Sequence, residues 1–297
     1  MPSSLRCIRQ RGKSCSIQLI TRRASWSLSF PDAPFPRRKL EITIGENRFS
    51  AAGIELHLHG EGLHAEGSLR FGPFSPLRYD IMGPFCCLPF MECRHSIRSM
   101  LHTVNGALQI NDVPYLFQNA VGYLEGDRGR SFPRAYIWTQ CCFPEGSLVL
   151  CVAEIPLAGF RFTGVIGVVL WRGREYRLAT YLGARAVTIG GGAVTVQQGS
   201  LRLTARLLEK SAQPLCAPVG GVMRRTIHES AACLAGYTLE KDSHICFPWN
   251  LPSLLLSTNT QLNPNFTHFY KRYGSVHTVF SFDIPGFNFT NCFFCFC

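Results

Sequence analysis

The chain has 297 residues, 46% of them apolar and 16% charged, with 27 glycines and 18 prolines. That is enough for one large β-domain or two medium ones, and no apolar run reaches the ~18 residues of a membrane-spanning helix. The net charge of +11 concentrates before residue 40, where Arg6, Arg9, Arg11, Lys13, Arg22, Arg23, Arg37, Arg38 and Lys39 face only Asp32; the body is close to balanced, which argues against a nucleic-acid face.

Residues 1–38 read as a basic, disordered tail, with neither a helical nor a strand period. The absence of an apolar secretory stretch near the start implies a cytoplasmic protein and free thiols for the 14 cysteines. From residue 41 apolar and polar residues alternate. Ile54, Leu56 and Leu58 alternate with Glu55, His57 and His59 up to a Gly60-Glu-Gly62 turn, a hairpin signal. A proline-rich loop follows, then a strand-like run over 96–110 with a turn or bulge at Asn105-Gly106. Hairpins continue through 136–208, punctuated by Phe143-Pro-Glu-Gly146, Arg172-Gly173-Arg174, Gly190–Gly192 and Gln198-Gly199. Short strands with turns every ~8–12 residues predict an all-β, antiparallel barrel or sandwich. The chain divides into the tail of 1–38, a first β half over 39–135, a second over 136–245, and an atypical Phe/Cys-rich tail over 246–297.

Metal chemistry finds little support in the sequence. His57, His59 and His64 alternate in the early hairpin without a matching carboxylate pattern, and Cys292-x-x-Cys295 has no second half. No metal and no cofactor are assigned.

The segment "GYLEGDRGRSFPRAYIWTQCC" (122–142) is different in kind, mixing charge with aromatic residues around a Phe-Pro corner. Strand alternation puts Arg134, Tyr136, Trp138 and Gln140 on one face and Ile137 and Thr139 on the other. Tyr123 and Glu125 share a face in the preceding segment. A pocket wall and a core cap with a surface ion-pair network both fit this pattern.

Tyr123, Glu125, Gly129, Phe132-Pro133-Arg134, Trp138, Gln140 and Cys141 resemble the tocopherol cyclases of plants and cyanobacteria. Glu145-Gly146, Tyr176, Pro214-Leu215 and Ala217-Pro218 extend the resemblance, and "GPFCCLPFMECRHS" (83–96) is similar to the bacterial relatives of that family. The resemblance covers residues 40–242 and implies a lipocalin-like fold of two barrel-like halves. The family's first and last strands are not visible in the sequence, so the barrel is expected to be incomplete at both ends.

The activity implied is closure of a chromanol ring on a prenylated hydroquinone, without a redox cofactor. An acid protonates the alkene of the prenyl group and the phenol oxygen captures the tertiary cation. Such a site needs a buried neutral carboxyl, aromatic faces for the cation and an apolar cavity. Glu125 is the first candidate for the acid. Asp127 either shares its proton or is a turn residue before Gly129. Glu92 and His95 form a second acid/base pair, or ion-pair with Arg94 or Arg98. Tyr123, Arg134, Tyr136, Trp138 and Gln140 are the candidate substrate contacts. The expected partner is a prenylated quinol or another apolar small molecule, with peripheral membrane contact to collect it and no nucleic acid. A non-catalytic carrier of an isoprenoid or lipid is the alternative.

Overall fold

The computed structural model describes residues 3–9, 15–21, 23–30, 41–88, 91–143, 146–157, 159–209, 213–220, 222–230, 233–253, 255–259 and 289–296. Among these residues the regular elements are antiparallel β-strands and two short 3-10 turns, an all-β, barrel-like fold in three sheets, none of them closed. No helix is long and apolar enough to cross a membrane.

The first sheet contains β1 (Ser3–Arg9), β2 (Cys15–Thr21), β3 (Ser25–Phe30), β4 (Glu41–Ile44), β5 (Asn47–Ser50), β6 (Gly53–Gly60), β7 (Leu63–Phe71), β8 (Cys93–Ile110), β9 (Val113–Gly129) and β22 (Phe289–Phe296), in the order β3-β2-β1-β22-β9-β8-β7-β6-β5-β4. The second contains β10 (Tyr136–Phe143), β11 (Gly146–Leu157), β12 (Phe160–Trp171), β13 (Arg174–Ala179), β17 (Gln213–Val219), β18 (Val222–Ser230) and β21 (Leu255–Asn259), in the order β13-β12-β11-β10-β21-β18-β17. The third is β14 (Arg185–Gly190), β15 (Ala193–Gln198), β16 (Leu201–Glu209), β19 (Cys233–Lys241) and β20 (His244–Ser253), in that order.

The second sheet is covered on both faces. One face packs Ile137, Cys141, Leu150 and Val152 against Val196, Leu203 and Tyr237 of the third sheet. The other sets Tyr136, Trp138 and Ala153 in one cluster with Tyr123 and Met100 of the first sheet. This explains why "AYIWTQCC" carries large side chains on both faces, since a strand buried twice has no solvent face to make polar. Each fully buried aromatic or aliphatic side chain here contributes roughly 1.5–3 kcal/mol. Thr139, on the third-sheet side of β10, satisfies its hydroxyl against the Tyr237 hydroxyl at 2.6 Å.

The chain ends depart from the sequence expectation. The segment expected to be a disordered basic tail supplies β1, β2 and β3, with Leu5, Cys7, Ile8, Ile17 and Leu19 buried. The physical reason is non-local. β1 pairs with β22, and β22 pairs with β9, so an N-terminal strand finds its partner nearly 300 residues away. Arginines between the buried positions hide the short alternation from a local reading. The expected C-terminal tail likewise contributes β21 and β22, while residues 260–288 and Cys297 lie outside the described residues.

Candidate active site

The register of β8 and β9 sets His95 directly opposite Asp127, and Ile97 opposite Glu125. Strand residues two apart share a face, so Tyr123, Glu125 and Asp127 line up beside His95. His95 is the hub: Nδ1 lies 2.8 Å from Asp127 Oδ1, and Nε2 lies 3.2 Å from Glu125 Oε2. The Tyr123 hydroxyl donates to the same Glu125 Oε2 at 2.5 Å. Tyr123 and Glu125 are wholly buried, and the side chains of His95 and Asp127 are only 10% and 8% exposed.

Burial pushes the Glu125 carboxyl up to about 7, against the pull of the His95 charge and of its hydrogen bonds. Burial also opposes the His95 imidazolium, but the flanking Glu125 and Asp127 outweigh it and hold its pKa well above 6.5. An uncompensated charge here would be costly. The arrangement that balances is a His95 imidazolium facing Asp127, with Glu125 taking up a further proton near neutral pH. His95 and Glu125, in contact and each shifted by the other, titrate as a coupled pair.

Against this cluster lies a cavity of ≈ 100 Å³. His95 and Asp127 reach its wall, whereas Glu125 sits behind His95 and does not. The far wall is apolar: Phe132, Tyr136 and Trp138 at and before β10, Cys151, Ala153 and Ile155 of β11, and Phe162 and Ile166 of β12. Met82, Phe85, Leu88 and Met91 close it from the connection between β7 and β8. A positive charge forming inside would meet the aromatic side chains of Phe132, Tyr136 and Trp138 in a largely apolar lining.

That connection is held by a cation. Arg177 donates from Nη1 to the Asp80 carbonyl (3.1 Å) and from Nη2 to the Tyr79 carbonyl (3.0 Å) and to Glu175 Oε1 (2.7 Å). Its guanidinium carbon lies 3.8 Å from the Tyr79 ring centroid, and the Tyr181 hydroxyl donates to the Ile81 carbonyl at 2.9 Å. Gly83 belongs to this junction. It sits at φ +51, and a Cβ there would lie 2.5 Å from the Tyr181 ring.

The sequence candidates fall into two groups. The structure gathers Tyr123, Glu125, Asp127, His95, Tyr136 and Trp138 at the cluster and cavity. Asp127 is not a turn residue: β9 runs on to Gly129, where a Cβ would lie 2.0 Å from the Glu92 carbonyl oxygen. Glu92 is exposed, and its carbonyl accepts from Arg130 N at 2.7 Å, so the partners of His95 are Asp127 and Glu125 and not Glu92. Arg134 is exposed. Gln140 is buried away from the cavity, its Nε2 donating to Cys142 Sγ at 3.2 Å. Sequence reasoning missed the Met82–Met91 wall, Cys151 and the Arg177 junction; none carries a local signal, because each is defined by contacts across sheets. On the outer face of the β6–β7 hairpin, the carboxylate that the sequence did not pair with the histidines is Glu66, 3.0 Å from His59 Nε2.

No protein-family model matches the chain, and no curated protein matches it in sequence. In three dimensions it is similar to the crystal structure of kievitone hydratase from Nectria haematococca, with a TM-score of 0.50 and 8% identity over 99% of this chain and 88% of that one. The likeness is one of fold.

Proposed function

We propose that the chain is an acid catalyst of addition to the alkene of a prenylated phenol, closing a chromanol-type ring on a prenylated hydroquinone. One observation carries this reading: a buried proton-holding cluster, His95 with Asp127 and Glu125, opens onto an apolar cavity walled by Phe132, Tyr136 and Trp138. The His95–Asp127 pair delivers the proton, because these are the members at the cavity wall, and Glu125 supplies it from behind. The proton adds to the less substituted alkene carbon and leaves a tertiary cation beside the aromatic faces. The phenol oxygen bonds to that cation and releases its proton back to the cluster, so the product has the mass of the substrate. Apolar burial of the prenyl group supplies most of the affinity. A cavity of ≈ 100 Å³ is somewhat smaller than one of ~150 Å³ that takes up benzene, so it suits the reacting prenyl unit, with the phenol ring and the rest of a longer tail extending through the mouth.

The fold likeness to a hydratase favours a second outcome of the same first step, capture of the cation by water. A non-catalytic carrier remains the contrasting reading. Anaerobic incubation with a methyl-phytyl-hydroquinone and with a dimethylallyl phenol, followed by product mass analysis, separates the three. A cyclised product of unchanged mass supports ring closure, a product heavier by one water supports hydration, and tight binding of unaltered substrate means a carrier.

A further inference from the structure

The outer face of the β6–β7 hairpin holds a cluster of ligating side chains that the cavity chemistry does not use. We propose that His59, His64 and Glu66 form a solvent-facing binding site for a late first-row divalent metal ion of the Zn²⁺ type.

The strand register creates the cluster. His59 stands directly opposite His64, and their rings meet edge to face with centroids 4.4 Å apart. Glu66 follows His64 by two residues and therefore shares its face. Glu66 Oε1 lies 3.0 Å from His59 Nε2 and 3.8 Å from His64 Nε2. One ligand atom from each of the three lies within 4.8 Å of the others. Around a tetrahedral ion with bonds of about 2.0–2.2 Å, ligand atoms sit roughly 3.3 Å apart. The cluster is therefore close to a binding geometry, and small rotations of exposed side chains complete it.

The backbone beneath is already fixed. His64 N donates to Asn111 Oδ1 at 2.7 Å, Asn111 Nδ2 donates to the Gly62 carbonyl at 2.8 Å, and Asn111 N donates to the His64 carbonyl at 2.8 Å. Leu58, Leu63 and Ala65, the inward-facing neighbours, are buried in the first sheet's core. Binding has only side-chain rotamers to order, which keeps its entropic cost low. Two imidazoles and one carboxylate suit Zn²⁺, Ni²⁺ or Co²⁺ better than Mg²⁺ or Ca²⁺, which prefer an all-oxygen shell. Three protein ligands leave a position for water, so the ion would be exchangeable.

Co²⁺ is the probe of choice because the chain also contains cysteines. The full chain is titrated with CoCl₂ and followed by visible and near-ultraviolet absorption. The proposal expects one ion per chain with a ligand-field band and no thiolate-to-metal charge-transfer band. His59→Ala and His64→Ala should each weaken binding at least tenfold, and Glu66→Gln severalfold. His57→Ala removes the exposed residue opposite Glu66 and should leave affinity within twofold. Circular dichroism checks that each variant is folded. The proposal is overturned if the wild-type chain binds no cobalt, if a charge-transfer band appears, if neither His59→Ala nor His64→Ala weakens binding, or if His57→Ala costs as much as they do.

Discussion

His95 and Asp127 face each other across neighbouring strands, with Nδ1 2.8 Å from Oδ1, at the wall of an apolar cavity. Glu125 contacts the other ring nitrogen from behind, at 3.2 Å. Asp127→Asn preserves shape but removes the carboxyl that reaches the cavity wall. Turnover should fall by ~10²-fold or more, a common scale for a positioned acid, while affinity for the prenylated ligand changes little. Single-turnover rates and ligand titration check the two separately, and an unchanged rate would remove Asp127 from the reaction.

Glu125 makes stability depend on pH with a definite sign. Its folded pKa is about 7 against an ordinary 4.5, so the folded chain keeps a proton that the unfolded chain has released. The stabilisation is full below about 4.5 and lost as pH rises through about 7. Glu125→Gln should therefore gain on the wild type between pH 4.5 and 8, by up to about 3 kcal/mol. His102 acts in the opposite sense. Burial lowers it from 6.5 to about 4, so its contribution is present above 6.5 and lost as pH falls through about 4. Urea melts across this range should show His102→Gln flattening the acid side and Glu125→Gln the neutral side.

The Arg177 junction should matter to the cavity as much as to the fold. Arg177→Met leaves Glu175, whose side chain is 8% exposed, without its buried partner, which typically costs about 3–5 kcal/mol. It also frees the segment around Tyr79–Ile81. A lower melting temperature together with new proteolytic cuts within residues 73–88 is expected. Unaltered cleavage would mean that the segment is held by its apolar contacts alone.

The cavity cysteines should be unreactive. Burial first, and then the charge of Asp127, push the Cys93 and Cys151 thiols well above their ordinary value, so little thiolate exists at neutral pH. Mass mapping after brief iodoacetamide treatment should find the exposed Cys87 modified ahead of Cys93 and Cys151. Rapid labelling of Cys151 would contradict a thiol held in its protonated form.

Much of the fold was legible because alternation is local. The Ile54-Leu56-Leu58 hairpin and the Tyr136-Trp138 face both follow from period two. The acid cluster was half legible. Tyr123 and Glu125 belong to the same strand as Asp127, but the glycine at 129 suggested a turn where the strand continues. Gly129 in fact answers a close approach of the Glu92 carbonyl, which no local pattern reveals. The pairing of His95 with Asp127 depends on register across a long hairpin with bulges near Ser99 and His102, and the terminal strands depend on β22. Both are consequences of which strands meet, and a single sequence does not encode that in any short window.

The most direct test of the central claim is to run the reaction with a prenylated hydroquinone in D₂O and locate deuterium in the product by NMR. Proton delivery to the alkene predicts one carbon-bound deuterium per product molecule, on the carbon next to the new C–O bond, with incorporation slowed in parallel by Asp127→Asn. Recovery of unaltered ligand, or a product without carbon-bound deuterium, would contradict an acid-initiated addition and leave the cavity as a binding site.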